Sequence, residues 1–323
     1  MILFAKLLGG LFLGWGIGAN NSADIFGTAV ATNSIRYKTA IILIAIFVAL
    51  GAIVEGPKLY HSYRFSTTIT LTLAFVATMS AAVTIGLLTY LSLPASASQA
   101  AVGGVMGIAI WANGMGGADW GKLGVWTCWW VLSPLAAASI AFLLMKGVGP
   151  LIRRYVKNIV FLNLVYKIGF IIIGCYAAYT LGGNNVVVTT GPFYQAGLFG
   201  DPSRHWPAVI AAAIGAASIS VGALTYAKKV MRTVGHGITA LDPFSALVAV
   251  LSHAIAIHLS TQFHIPVSSA QATVGAVAGV GFSKGMRTVN SKMLWTIFGG
   301  WVLTPLASAF LAVGLAALSA ALS

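Results

Sequence analysis

The sequence predicts an all-α polytopic membrane protein built from two inverted repeats of about five transmembrane segments each. Of its 323 residues, 59% are hydrophobic and only 7% are charged, whereas about 25% of the residues of a soluble domain are charged. Apolar runs of about 20 residues, the length that spans a bilayer, recur along the whole chain. Short motifs of the first half also return in the second half in the same order. This composition excludes a soluble enzyme, a disordered chain and a disulfide scaffold.

The hydropathy pattern predicts five apolar segments in each half. The first segment of each half, 2–32 and 168–198, is too long for one crossing and contains a Gly/Asn cluster, which predicts a broken helix. The fourth segment of each half is short, which predicts either a tilted crossing or part of a re-entrant hairpin at the midplane. The ten predicted segments are 2–32, 39–56, 70–93, 95–111, 124–144, 168–198, 208–227, 244–263, 267–282 and 293–322.

Three motifs occur once in each half, in the same order and separated by 164 to 172 residues. This spacing predicts a duplicated chain with a first repeat at 1–147, a basic linker at 148–164 and a second repeat at 165–323. The matching stretches are 18–21 with 182–185, 94–107 with 266–279, and 130–136 with 301–307.

The charged residues predict the orientation of the repeats. An odd number of crossings per repeat inserts the second copy upside down, so equivalent loops should differ in basic charge. The loop with Arg36 and Lys38 is basic, while its counterpart with Asp201 and Arg204 is balanced. The net charge of +13 therefore reflects topology and not nucleic-acid binding. The central linker is predicted to be cytoplasmic, which places both termini on the outer side of the cell membrane. Its basic residues are Lys146, Arg153, Arg154 and Lys157.

Polar side chains within the first segment of each half predict a functional site. Such groups are costly at membrane depth and are usually functional, although Asn and Ser also join neighbouring helices in membrane bundles. Asp24 is about one helical turn from Asn21, so both can face one point. The members of this polar cluster include Asn20, Asn21, Asp24, Asn184, Asn185 and Thr189.

Two prolines, Pro94 and Pro266, stand where the fourth segment of each half should begin. Proline suits the first helical turn, and the residues after it present free backbone N–H groups at the positive end of the helix dipole. Such helix starts bind anions, and broken-helix transporters hold substrate near the midplane. The predicted anion ligands are Ser96, Ser98, Gln99, Ser268, Ser269, Gln271, Asn21 and Asn185.

These motifs resemble the paired signatures of the inorganic phosphate transporter family, which contains symporters driven by sodium or protons and related sulfate permeases. The resemblance rests on Gly18-Ala-Asn-Asn-Ser-Ala-Asp24, Gly182-Gly-Asn-Asn185 and Pro266-Val-Ser-Ser-Ala-Gln271, and it spans nearly the whole chain. It implies a secondary active symporter that imports an inorganic tetrahedral oxyanion by alternating access. It also implies a coupling cation, predicted to be sodium, held by carboxylate, amide and hydroxyl oxygens, which are hard ligands. The predicted sodium ligands are Asn20, Asn21, Asp24, Asn184, Asn185 and Thr189.

Departures from the family pattern bear on the ligands. The family signature has Asp followed by Asn three residues later, whereas this chain has Asn21 then Asp24, and Asn185 then Val188. Gln99 and Gln271 stand where a family histidine often lies, which removes a proton carrier and favours sodium. Phosphate keeps a P–OH that needs an acceptor, so the loss of one motif carboxylate makes sulfate nearly as strong a candidate as phosphate.

Several alternatives remain open at this stage. A proton-coupled symporter of the same anions and a passive anion channel would use the same donors. An intramembrane enzyme is disfavoured because the chain has no HExxH zinc motif. We expect no cofactor beyond the coupling ion, no nucleic-acid partner, a lipid bilayer around the chain and a possible homodimer.

Overall fold

The computed structural model describes residues 2–63, 69–90, 95–233, 241–285 and 291–321. Over these residues the chain is α-helical, apart from turns and one short 3₁₀ helix at Met115–Gly117. The helices are α1 (Ile2–Ala31), α2 (Tyr37–Val54), α3 (Pro57–Tyr60), α4 (Leu71–Tyr90), α5 (Ala97–Asn113), α6 (Trp120–Tyr155), α7 (Ile159–Gln195), α8 (His205–Thr233), α9 (Pro243–Gln262), α10 (Ser269–Lys284) and α11 (Ser291–Ala321).

Each of the ten predicted apolar segments corresponds to one helix. Among the described residues, seven helices are long and apolar enough to cross a membrane, namely α2, α4, α6, α7, α8, α9 and α11. Their outer faces carry exposed large side chains such as Leu143 (67% exposed) and Phe310 (77% exposed). The prediction of a multi-pass, all-α membrane protein is therefore confirmed. With 17 and 16 residues, α5 and α10 are the short segments.

The prediction that the first segment of each half is a broken helix is wrong. Helix α1 continues through Asn20 and Asn21, and α7 continues through Asn184 and Asn185. In α7 the amide groups of both asparagines bond to other segments of the protein. The backbone ladder therefore stays intact, and unwound carbonyls are not available as ligands at these four residues.

The start of the fourth segment also differs from the prediction. Ser96 and Ser268 are the N-caps of α5 and α10, and their hydroxyl oxygens accept from the backbone N–H of Gln99 and Gln271, each at 3.3 Å. Ser268 caps the first turn of α10. Pro266 precedes this cap by two residues and therefore lies outside the helix. The equivalent Pro94 lies outside the described residues.

The linker between the halves is shorter than the predicted 148–164. Helix α6 continues to Tyr155 and α7 begins at Ile159, so only residues 156–158 are non-helical. Asn158 determines this boundary, because its Oδ1 accepts from the backbone N–H groups of Val160 and Phe161 and caps α7.

Close helix crossings join the two halves at equivalent positions. A Cβ on Gly18 of α1 would overlap the carbonyl oxygen of Ile219 in α8, and one on the equivalent Gly182 of α7 would overlap that of Val48 in α2. Only glycine permits such backbone approach. Helices α5 and α10 repeat this arrangement, α5 against α11 and α10 against α6. Their overlapping pairs are Gly103 with Pro305, Gly107 with Ala309, Gly275 with Pro134, and Gly279 with Ala138.

Candidate functional site

The starts of α5 and α10 meet beside the middle of α7 in the buried interior. The Ser98 hydroxyl on α5 lies 2.9 Å from the carbonyl oxygen of Val267 and 3.3 Å from Oδ1 of Asn185, and it donates toward both. Asn185 in turn donates from Nδ2 to Oγ of Ser269 at 2.9 Å. Ser98, Asn185 and Ser269 are each at most 2% exposed. Three residues that the sequence assigned to the anion site are thus connected by hydrogen bonds.

Asn184 holds the chain that leads into α10. Its Nδ2 donates to Oγ1 of Thr261 at 2.9 Å and to the carbonyl oxygen of Ile265 at 3.1 Å. Its Oδ1 accepts from the backbone N–H of Val267 at 2.9 Å. Both ends of this buried amide are therefore engaged in fixing the extended stretch 265–267 and the position of the α10 start.

Gln99 and Gln271 occupy equivalent third positions in α5 and α10. They are 4% and 1% exposed, and the Oε1 of each has no hydrogen-bond partner among the described residues. A buried polar atom without a partner is costly, so native proteins rarely leave one without a water, ion or protein group beside it. The predicted placement of both glutamines at helix starts agrees with the structure.

Two further buried polar groups were missed by the sequence reasoning. Trp130 Nε1 and Ser133 Oγ on α6 have no partner among the described residues. Because Gly275 of α10 contacts Pro134 of α6, Gln271 and Trp130, each four residues earlier, lie at the same level. Trp130 is the first residue of the repeated Trp-Val-Leu motif. Its indole N–H is a polar group within an apolar span, and this is the sequence signal that indicates it.

On α1, Asn20, Asn21 and Asp24 are partly exposed, and none of the hydrogen bonds within the described parts of the chain involves their side chains. Helix α1 is antiparallel to α7, since Gly10 lies against Thr189 and Gly174 lies against Phe26. In this register Asn185 is level with residues 14–15 of α1, and Asn21 lies about two helical turns away along the axis. The sequence-predicted cation ligands of α1 are therefore separated from Asn185 along the axis.

The remaining predicted cation ligand, Thr189, lies elsewhere on α7. Its hydroxyl donates to the carbonyl oxygen of Val186 at 2.7 Å. Its side chain would contact a Cβ placed on Gly14 of α1 or Gly215 of α8. Thr189 is thus packed between α1 and α8, apart from the hydrogen bonds that connect Ser98 to Ser269.

A second polar cluster, formed around Glu55, breaks the symmetry of the halves. Glu55 Oε2 pairs with Lys58 Nζ at 2.5 Å and accepts from Gln262 Nε2 at 3.0 Å, while Oε1 accepts from the Tyr179 hydroxyl at 3.1 Å. This carboxylate ties the end of α2 to α7 and to the end of α9. The position equivalent to Glu55 is an aromatic residue, Tyr226, against Trp15.

Comparison with known proteins gives one consistent result. The model of the phosphate transporter family matches residues 17–312. A candidate phosphate permease of Methanocaldococcus jannaschii is 29% identical over 90% of this chain and 89% of its own. The sulfate permease CysP of Bacillus subtilis is 28% identical over 94% of this chain and 84% of its own. The solved structure of a sodium-dependent phosphate transporter is similar to this chain, with a TM-score of 0.83 and 22% identity over 97% of this chain and 98% of that one.

Proposed function

Because the chain belongs to the phosphate transporter family, we propose that it is a secondary active symporter that imports an inorganic tetrahedral oxyanion together with sodium. Phosphate is the proposed substrate, and sulfate is the alternative that a sulfate permease among its relatives supports. The residues at the meeting of α5, α7 and α10 supply the anion site, and the polar residues of α1 supply the cation site.

One observation carries this proposal: two equivalent helix starts meet in the buried interior beside Asn185, and the third residue of each helix is a buried glutamine whose Oε1 has no partner among the described residues. Helix N-termini offer backbone N–H donors and a positive dipole end, which suit an anion at membrane depth. The starts of α5 and α10 are connected by the hydrogen bonds of Ser98, Asn185 and Ser269. The side chains of Gln99 and Gln271 complete the proposed anion cage from both halves, while Ser96 and Ser268 cap the two helices.

The proposed sodium site lies on α1, about two helical turns along the axis from the level of Asn185. Asp24 supplies the charge, and Asn20 and Asn21 supply neutral oxygens of the kind that hard cations prefer. We expect Asn184 and Asn185 to act by positioning, because both ends of each amide are already bonded. A sodium ion here offsets part of the charge of the anion, which couples the binding of the two.

Phosphate is favoured over sulfate by the acceptor groups of the site. Near neutral pH phosphate keeps a P–OH, and a buried hydroxyl without an acceptor costs about 1 to 3 kcal/mol, roughly 5- to 150-fold in affinity. The unpartnered Oε1 atoms of Gln99 and Gln271 are such acceptors, and sulfate has no proton to offer them. These oxygens compensate for the carboxylate that the second motif has lost.

Uptake into proteoliposomes tests the proposal. Labelled phosphate is expected to accumulate with an inward sodium gradient and to equilibrate slowly without one, and labelled sulfate is expected to enter less well. Asp24→Asn should abolish the sodium dependence while the protein remains folded and inserted. Accumulation that follows a proton gradient instead would favour the proton-coupled alternative. Rapid entry without any gradient coupling would favour a channel.

We also propose that the two halves insert with opposite orientation and that α4–α5 and α9–α10 are hairpins whose tips meet near the midplane. The contact of Ser98 with Val267 supports this arrangement, because it joins the tip of one predicted hairpin to that of the other. In this arrangement each half makes three full crossings, and the connection 156–158 lies in the cytoplasm.

The orientation can be measured in a variant whose Cys128 and Cys175 are replaced by alanine. A cysteine at position 201, in the loop before α8, is expected to react with an impermeant thiol reagent on right-side-out cells. A cysteine at position 154, near the end of α6, is expected to react only after the cells are opened. The opposite pattern would overturn the proposed orientation.

A further inference from the structure

A cavity of about 800 Å³ lies where α6 ends, α9 begins and α10 ends. It is on the same side as the connection between the halves, away from the meeting of α5, α7 and α10. Polar and charged groups line one part of it, and Pro150 and Met145 line another. The polar lining residues are Lys146, Tyr166, Asp242, Ser283 and Lys284.

The charge of this cavity is positive. Lys284 Nζ lies 2.7 Å from Asp242 Oδ2, whereas Lys146 forms no ion pair with the residues that the structure describes and rests over the Phe142 ring at 5.9 Å. The pKa of Asp242 falls to about 2, since hydrogen bonds from Lys284 and Ser245 outweigh the opposing effect of burial. Asp242 therefore balances one lysine of the cavity and leaves the other available to an anion.

An exposed apolar side chain lies near the cavity. On α6, Leu143 precedes Lys146 by three residues, about one helical turn, and is 67% exposed. A free inorganic anion makes no favourable contact with an apolar surface. An amphiphile contacts both the lysine and the apolar surface, with its charged headgroup beside the lysine and its acyl chains along the helix.

We propose that this cavity binds the phosphate headgroup of an anionic phospholipid from the leaflet on the side of the connection 156–158. The headgroup contacts Lys146 and Lys284, and the acyl chains lie along the exposed face of α6. Because Lys146 belongs to α6 and Lys284 to the end of α10, the lipid bridges these two helices at the base of the α9–α10 pair. This site is separate from the proposed transport site and does not depend on it.

The test measures lipid binding to the purified full-length protein by native mass spectrometry. Phosphatidylglycerol is expected to bind more tightly than phosphatidylcholine. Lys146→Gln should weaken phosphatidylglycerol binding about fivefold, the usual effect of one basic residue near an anionic surface, and Lys146→Arg should restore it. Asp242→Asn should strengthen binding by a similar factor, because it frees Lys284 while its side-chain oxygen still caps α9 at Ser245.

Matched controls separate this site from general surface charge. Lys38→Gln removes an exposed lysine at the start of α2, and Asp201→Asn removes an exposed carboxylate that also accepts from a backbone N–H. Neither should change phosphatidylglycerol binding. An equal loss in Lys38→Gln, or no loss in Lys146→Gln, would overturn the proposal. Binding of glycerol phosphate as tight as that of phosphatidylglycerol would instead indicate a site for a soluble anion and would also overturn it.

Discussion

Replacing Gly18 with alanine is expected to lower the midpoint of thermal unfolding, whereas the same change at Gly16 is expected to raise it slightly. Both glycines lie in α1. A Cβ on Gly16 meets no atom within 4 Å, but one on Gly18 overlaps backbone atoms of Ile219 in α8. Backbone cannot rotate away as a side chain can, so the two helices must separate.

The magnitude follows from two opposing effects. Alanine favours a helix over glycine by about 1 kcal/mol, which is the full effect expected at Gly16. At Gly18 the overlap costs about 3 kcal/mol, the upper end for an overpacked contact, so the net loss is about 2 kcal/mol. For a chain of 323 residues that corresponds to a fall of about 3 °C. The measurement is the loss of the monodisperse size-exclusion peak in detergent after heating.

The equivalent glycine of the second half extends this prediction. Gly182→Ala should lower the midpoint by a similar amount, because a Cβ there overlaps the Val48 carbonyl of α2. If Gly18→Ala is as stable as Gly16→Ala, the close crossing of α1 and α8 is wrong. If the effects at Gly18 and Gly182 differ strongly, the two crossings are not energetically equivalent despite their matching sequence motifs.

The sequence predicted the ten helices because the bilayer requires long apolar segments and the chain supplies few charges elsewhere. It also predicted Ser98, Asn185 and Ser269 as members of one site, since matched motifs in two halves point to matched positions. It failed at Asn20 and Asn184, where the Gly/Asn clusters predict a helix break. In α7 the amides of Asn184 and Asn185 donate to neighbouring segments while the helix continues.

Other features depend on tertiary contacts that no local pattern contains. The interlocking of α1 with α8 and of α2 with α7 depends on which glycine meets which carbonyl. The buried Nε1 of Trp130 is significant only because α6 crosses α10 beside Gln271. The Glu55 cluster was not predicted, because its partners Tyr179 and Gln262 are distant in sequence.

Replacing Gln271 with glutamate is expected to have the largest effect on transport, and the effect should deepen as the pH rises. A protonated carboxyl group has nearly the shape of the amide and still donates a hydrogen bond. An ionised one places a negative charge beside the anion, which costs about 4 kcal/mol at 4 Å with an effective dielectric constant of 20, roughly a thousandfold in affinity. Because Gln99 is equivalent in α5, Gln99→Glu should behave in the same way.

Methionine variants separate charge from shape in this test. Gln271→Met and Gln99→Met remove the amide but add no charge, so each should weaken uptake by about 10- to 150-fold with the same pH profile as the wild type. Each variant is compared with the wild type at the same pH, so the titration of phosphate itself cancels. Thermal unfolding in detergent verifies that the variants are folded.

If the glutamate variants transport as well at pH 8 as at pH 5.5, the glutamines do not face the anion. If changes in one half alone affect uptake, the anion is held by one helix start and the symmetric cage is wrong.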